Sequence, residues 1–367
     1  MAKFAEIFEF QSKSGIKAGD GLDTGKYFFY TSSNEQTKFL NEYLFDSDAL
    51  IFGTGGNPSV HFNDSKFAVS TDCLVAQPKD GKKIHAKFYY YFLRGNMRIL
   101  EKGFKGAGLK HISKSYISAI ELPKVDFDQQ KKIVEILDLT NDLRQKRKQS
   151  LQLLDGFLRA TFLEMFGDPL QNSKKFKTVE LKDLCSHIVD CPHSTPKYID
   201  PVEGYACIRS SDLQNGFLDF SMTKFIDQKQ YMERIKRCKP LAGDIIYCRE
   251  GARFGTAGYI PEGVDVCLGQ RTMLFRADPK KATPECLWGI IVSNGISYQA
   301  SQLVGGAASP HVNVKDIKKY KAFCPPLEIQ KKYSRVFKHT IDIMQRVRLG
   351  LVEMDNQFNA LTQRYFG

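Results

Sequence analysis

No CxxC pair occurs in this chain. Its nine cysteines stand singly, and an odd count closes no disulfide framework. That usage fits a reducing cytoplasm. No run of about 18 apolar residues occurs either, so no membrane-spanning helix is expected. The first residues, MAKFAEIFEFQSKSG, lack an apolar run followed by a small-residue cleavage site, so no signal peptide is expected. Paired carboxylates, a Ser-His-Asp series, a Walker loop and a His-Glu-x-x-His motif are all missing. The chain therefore reads as a binder with no catalytic residues, metal site or cofactor of its own.

What is present is positive charge. The 367 residues carry a formal net charge of +12, while the apolar share of 42% and the charged share of 26% are ordinary for a globular protein. A surplus of that size is an electrostatic footprint for a polyanion, most simply nucleic acid. Charge alone does not separate such a protein from a generic basic one. The length allows two or three domains, each with its own core.

The chain also repeats itself at a shift of 200 residues. Gln130-Lys131-Lys132 recurs as Gln330-Lys331-Lys332, and Asp142, Leu151, Asp155, Ala160 and Phe166-Gly167 recur as Asp342, Leu351, Asp355, Ala360 and Phe366-Gly367. Two copies of one structural unit, with pseudo-twofold symmetry, are the expectation. Outside this stretch the copies drift. Phe4–Phe8 matches Leu181–Cys185 at 177, Ile51-Phe52 matches Ile246-Tyr247 at 195, and His111-Ile112 matches His311-Val312 at 200.

Glycine and proline nearly vanish between Asp128 and Gly167, where Ile133, Leu137, Thr140, Arg144, Arg147, Leu151, Leu154, Leu158, Thr161 and Met165 follow a 4-3 spacing. The second copy is cleaner, with Tyr333, Phe337, Thr340, Met344, Val347, Leu351, Met354, Phe358, Leu361 and Tyr365. Such series form coiled-coil seams, and each helix of about 40 residues would be roughly 60 Å long. Two in one chain most economically pack antiparallel on each other; the plainer reading is two amphipathic helices, each lying on its own domain. Arg144 and Arg147 fall on the seam, within the basic run 144–148, and either leave it locally open or face phosphates or a partner. Residues 1–125 and 169–325 differ in character, with short apolar runs such as Ala49–Phe52 punctuated by Gly, Asn and Pro. They read as mixed α/β domains, and 86–101, AKFYYYFLRGNMRILE, as one helix inside the first. The fold class is α/β, with domains at 1–125 and 169–325 and spacer helices at 126–168 and 326–367.

This pattern resembles the specificity subunit of type I restriction–modification systems, and the resemblance covers essentially the whole chain. Its most specific element is Cys324-Pro325-Pro326-Leu327 followed by Gln330, similar to the family's Pro-Pro-Leu-x-x-Gln entry into the spacer. Gly204-Tyr205, Ile208–Leu213, Gly243–Ile246, Gly305-Gly306-Ala307 and His311-Val312-Asn313 resemble family phrases in the second domain, and Tyr30–Ser33 takes the place of the Arg-Ser-Ser stretch in the first. The first spacer departs from the pattern, entering through Leu122-Pro123-Lys124-Val125-Asp126 with one proline. The resemblance implies two target recognition domains, each reading half of a split, asymmetric site in double-stranded DNA. It also implies two methyltransferase subunits docked on the helices, and restriction subunits completing the nuclease. S-adenosylmethionine, ATP and magnesium would then belong to those partners.

Reading a half-site takes Lys and Arg for phosphates and Arg, Asn, Gln, Ser or Thr for base edges. In the first domain the candidates are Lys13, Lys17, Ser32, Ser33, Asn34, Gln36 and Lys38, with Thr54, Asn57, Lys105 and Lys110 as a second group. In the second they are His193, Ser194, Thr195, Lys197, Arg209, Ser210, Arg249, Arg253, Gln270 and Arg271. Any one of them is as readily a turn cap or a solvated loop side chain. Half-sites about one DNA turn apart lie some 34–36 Å from each other, within reach of such helices.

Two motifs compete with this reading. Phe52-Gly53-Thr54-Gly55-Gly56 mimics the FxGxG loop of S-adenosylmethionine methyltransferases, but the matching Tyr247-Cys248-Arg249-Glu250-Gly251 keeps no such loop, and no Asn/Asp-Pro-Pro-Tyr/Phe motif accompanies it. Cys185-x-His187-x3-Cys191-x-His193 offers zinc ligands at a spacing that fits no usual zinc pattern. The rival functions are thus a methyltransferase using the FGTGG loop, and a helical scaffold without a DNA role.

Overall fold

In the computed structural model, which describes residues 1–106, 108–200, 203–304 and 310–367, the stretches poor in glycine and proline form two 40-residue helices, Phe127–Phe166 and Leu327–Phe366. The Gly305-Gly306-Ala307 phrase lies outside the described residues. The chain divides into two units, Met1–Lys148 with Leu349–Gly367, and Gln149–Arg348. Each is mixed α/β and contains a segment of both long helices. No helix among the described residues is long and apolar enough to cross a membrane.

In the first unit the strands Phe8–Phe10, Cys73–Pro78, Ala49–Gly53 and Ser59–Asn63 form an antiparallel sheet in that order. Ala49–Gly53 is buried along its whole length, which its unbroken apolar run dictates for a strand covered on both faces. Period-two alternation divides its side chains. Leu50 and Phe52 join Phe4, Phe8 and Phe88 in the larger core, while Ala49 and Ile51 join Tyr30, Phe67 and Val69 in a smaller one. A second sheet, Lys38–Leu40, Tyr27–Tyr30, Lys66–Val69 and Phe45–Asp46, contributes those last residues, and Tyr27–Tyr30 pairs in parallel with Lys66–Val69.

The helix read at 86–101 is two, Ala86–Gly95 and Met97–Glu101, broken at Asn96 (φ −124°, ψ 45°). A Cβ on Gly95 would stand 2.3 Å from Thr362 Cγ2, so the glycine lets this helix lie directly on the long-helix segment. Within this unit the two long-helix segments run antiparallel, since Arg144 meets Asp355 while Arg147 lies against Gly350. Arg144 is neither open to solvent nor free for phosphates. Its guanidinium bonds Asp355 at 2.5 Å and sits 4.6 Å from the Phe358 ring centroid. A cation that is paired and stacked is compatible with a packed helix face.

In the second unit the main sheet runs Cys185–Asp190, Thr272–Ala277, Ile245–Cys248, Ala257–Tyr259, Gly216–Leu218 and Leu213–Gln214. A small sheet of Lys224–Ile226, Tyr205–Ile208 and Val266–Leu268 again contains one parallel pair. Ile245 and Tyr247 face a core with Trp288, Phe323, Tyr333 and Phe337, while Ile246 and Cys248 face the opposite one. Gly289 lets the helix Pro284–Ile291 approach Phe162, whose ring carbon would stand 2.2 Å from an added Cβ. Cys73, buried in the first unit, is its single cysteine; the other eight lie in the second unit.

Candidate nucleic-acid interface

The loops that carry the candidate residues are tied to strand ends by backbone bonds, so their position follows from sheet register. In the first unit, Thr54 follows Ala49–Gly53. Its amide and hydroxyl both donate to the Asp72 carbonyl, each at 2.9 Å, and the Ser32 hydroxyl donates to the same carbonyl at 2.8 Å. The Ile112 amide donates to the Thr54 carbonyl at 3.1 Å, and His111 Nδ1 donates to it at 3.2 Å. Lys105 and His111 exchange backbone bonds, and the Gly56 amide donates to the Lys110 carbonyl. Ser32, Thr54, Lys105 and Lys110 are thereby brought together, and Ser33 is anchored separately by His61, whose Nε2 donates to the Ser33 carbonyl at 2.8 Å. Burial holds His61 below the ordinary imidazole range.

Asn34 and Asn57 are exposed on the same loops. Lys13 and Lys17 are exposed on a segment that meets Thr71, whose amide donates to the Ile16 carbonyl. Gln36 and Lys38 are engaged elsewhere. The Gln36 amide donates to the Lys38 carbonyl, and Lys38 Nζ pairs with Asp23 at 2.6 Å on the edge strand. The FGTGG loop has its amides occupied. Those of Thr54, Gly55 and Gly56 donate to Asp72, Ser32 and Lys110 respectively. A loop that holds a cofactor's carboxylate or other acceptors through its backbone needs such amides free.

In the second unit, four candidates share one loop. Gln230 clamps Lys197, accepting from its amide at 2.8 Å and donating to its carbonyl at 2.9 Å. Gln270 donates to Thr195 Oγ1 at 2.9 Å, and buried Arg234 donates to the Ser194 carbonyl and, at 2.9 Å, to that of Leu268. His193, Ser194, Thr195 and Lys197 stay exposed on a loop whose backbone is fixed. Such a loop presents its side chains at little further entropic cost.

The remaining candidates differ in how free they are. Arg209 is held by Asp212 (2.9 Å) and the Met222 carbonyl, and Arg253 donates to the Leu213 carbonyl at 2.8 Å. Ser210 is half-buried beside them, whereas Arg271 is exposed at φ 66°. Arg249 is only 4% exposed and gives both Nε (2.9 Å) and Nη2 (3.3 Å) to Asp190, so its guanidinium is turned into the fold. Its backbone completes a clamp, as its amide donates to the Arg271 carbonyl and its carbonyl accepts from the Val312 amide.

Gln230, Arg234 and Asp190 escaped the sequence reading, as did Lys315 and Lys319 on the rim of a cavity of about 650 Å³ beside Arg249. The first three act on backbone or on a buried partner, which leaves no mark in one sequence. The lysines follow the His311-Val312-Asn313 phrase but form no part of the likeness it carries.

Of the seam positions, Leu137, Leu158, Phe337, Met344 and Phe358 are buried, and Leu151, Leu154, Val347, Leu351 and Met354 are half-buried. The first long helix also keeps an exposed apolar face, with Ile136, Leu139 and Leu143 in the first unit and Leu153, Phe157 and Leu163 in the second. Along Cys185–Asp190 and beyond it, Cys191 is buried while His187 and His193 are exposed, and burial pushes the Cys185 thiol up to about 12. Among the described residues no group of three or more His, Cys, Asp or Glu converges on a metal position.

The chain matches the family described as the type I restriction modification DNA specificity domain over residues 1–153 and 173–349. The type I restriction enzyme MjaVIII specificity subunit of Methanocaldococcus jannaschii is 22% identical over 302 residues, covering 78% of this chain and 70% of that protein. The EcoDI specificity subunit of Escherichia coli is 22% identical over 403 residues, covering 97% and 85%. Among solved structures, the S subunit of a type I restriction–modification system from M. genitalium shares the fold with a TM-score of 0.64 at 13% identity, covering 100% of this chain and 95% of that one.

Proposed function

This chain belongs to the type I restriction modification DNA specificity family, and from that premise we propose how it, as a specificity subunit, divides its work. Each unit reads one half of a split, asymmetric DNA site through loops set on a shared frame, within the cytoplasm. Two methyltransferase subunits dock on the helices and restriction subunits join them, so the chemistry and its S-adenosylmethionine, ATP and magnesium reside in the partners. The target recognition domains are 1–125 and 169–325, and the spacers are 126–168 and 326–367.

One observation carries this reading: the frame recurs while the side chains it presents do not. Gln130 accepts from the His85 amide and donates to the Val125 carbonyl, each at 2.8 Å; Gln330 accepts from the Thr283 amide and donates to the Pro325 carbonyl, each at 2.8 Å. The Phe4 amide bonds the Ile120 carbonyl and the Leu181 amide bonds that of Tyr320. Thr54 is bracketed by Asp72 and Ile112, and Arg249 by Arg271 and Val312. Equivalent bonds under different side chains support two copies of one reader with separate vocabularies and a pseudo-twofold repeat, and the Arg144–Asp355 pair between the long helices supports a coiled-coil pairing of the spacers. The exposed Leu139 (64%) and Leu153 (74%) give a docked subunit apolar area to bury.

Sequencing the methylated bases of a host carrying the intact system tests this. A motif in two parts with a fixed gap is expected, and replacing the 191–200 loop should alter one part alone. A continuous motif, or changes in both parts, would sink the assignment. A methyltransferase working through the FGTGG loop is disfavoured by its occupied amides; tight S-adenosylmethionine binding by the isolated chain, seen by calorimetry, would revive it.

A further inference from the structure

The cavity beside Arg249 lies within the second unit, and the first unit does not carry the same rim residues. At the repeat shift of 200, Ser115 and Ala119 stand where Lys315 and Lys319 line its rim. Its floor is rigid. Asp190 takes both Nε and Nη2 of Arg249, Glu250 accepts from His311 Nδ1 at 2.7 Å, and the Val312 amide bonds the Arg249 carbonyl. With Asp190 neutralised by Arg249 and Glu250 held by His311, the rim sets two exposed lysines against one half-buried carboxylate, Asp316. His193, on the clamped loop, lines the same opening.

We propose that this cleft seats a backbone phosphate of the target duplex, with Lys315 and Lys319 as its cations and Arg249 as the positioning residue beneath them. This rests on the DNA-reading assignment and deepens it. Lysine is a flexible point charge that neutralises a phosphate without demanding a base, so the pairing adds affinity and register rather than sequence preference. A volume of about 650 Å³ that opens to solvent admits a phosphodiester with its sugar. The first unit has serine and alanine at the matching positions, so this lysine pair belongs to one half-site alone.

The test is DNA binding by the assembled methyltransferase complex carrying Lys315→Ser with Lys319→Ala, which installs the first unit's residues at exposed positions. Affinity for target and non-target duplexes should fall together, and the slope of log K against log salt should flatten by about one to two. The methylated motif should stay the same. Unchanged affinity and slope would overturn the proposal, and so would a changed motif. Loss of calorimetric ADP or inorganic phosphate binding, with duplex affinity intact, would assign the cleft to a free anion instead. If the wild-type complex itself binds DNA without salt dependence, it is the DNA-reading assignment that fails.

Discussion

His61 and His85 are both partly withdrawn from water, and for both, burial is the main force holding the imidazole below its usual range. The charged form is therefore disfavoured in the folded chain relative to the unfolded one, whose histidines titrate near 6.5. As pH falls below that value the unfolded state takes up protons first. The stabilisation is full above about pH 6.5 and is lost as pH drops through the folded value. The urea midpoint of the first unit should thus be lower at pH 5.5 than at pH 7.5, and His61→Gln should shrink the difference; an equal drop in the variant would refute this cause. At this scale little was legible. Gln130 and Gln330 showed as a repeat, but their work of bonding the residue before a neighbouring helix and a carbonyl at their own helix entry needs coordinates. Arg249 was read as a DNA-binding residue from its charge, and nothing in its neighbours announced Asp190, 59 residues away.

Two glycines in helices show how packing overrides propensity. Gly156, exposed on the first long helix with nothing within 4 Å of an added Cβ, loses only helix propensity, so Gly156→Ala should stabilise by about 0.5–1 kcal/mol. Gly289 would gain the same, but its Cβ would press on Phe162, a buried ring packed 5.6 Å from Tyr333 and 5.0 Å from Phe166. Overpacking of about 1–3 kcal/mol exceeds the propensity gain, so Gly289→Ala should destabilise. Opposite shifts in thermal midpoint check the pair. The long helices were legible because a 4-3 series nearly free of breakers has one economical solution. The break at Asn96 was not, because the need for Gly95 comes from Thr362, 267 residues on. The pairing of Arg144 was likewise hidden, since its partners Asp355 and Phe358 belong to the other helix.

For the molecule as a whole, the spacers are proposed to set the gap between half-sites. Removing one heptad from each helix shortens it by about 10 Å, close to the rise of three base pairs. The motif of such a variant should carry a shorter gap between unchanged halves, read from its methylated DNA, and an unchanged gap would remove the ruler role. The family was legible at this scale from repeat period, spacer phrases and charge together. The vocabulary of each half was not, because a loop side chain reveals its base partner only through geometry that the loop's anchors decide.

The uneven cysteine distribution has a practical consequence. One unit carries Cys73 alone, 1% exposed, while the other carries Cys286 at 0% among its eight. Burial raises both thiols, which slows alkylation until the surrounding structure opens. The native chain therefore holds its own pair of clocks. Mass-resolved labelling of Cys73 times the opening of one reader, and labelling of Cys286 times the other, without a foreign probe in either.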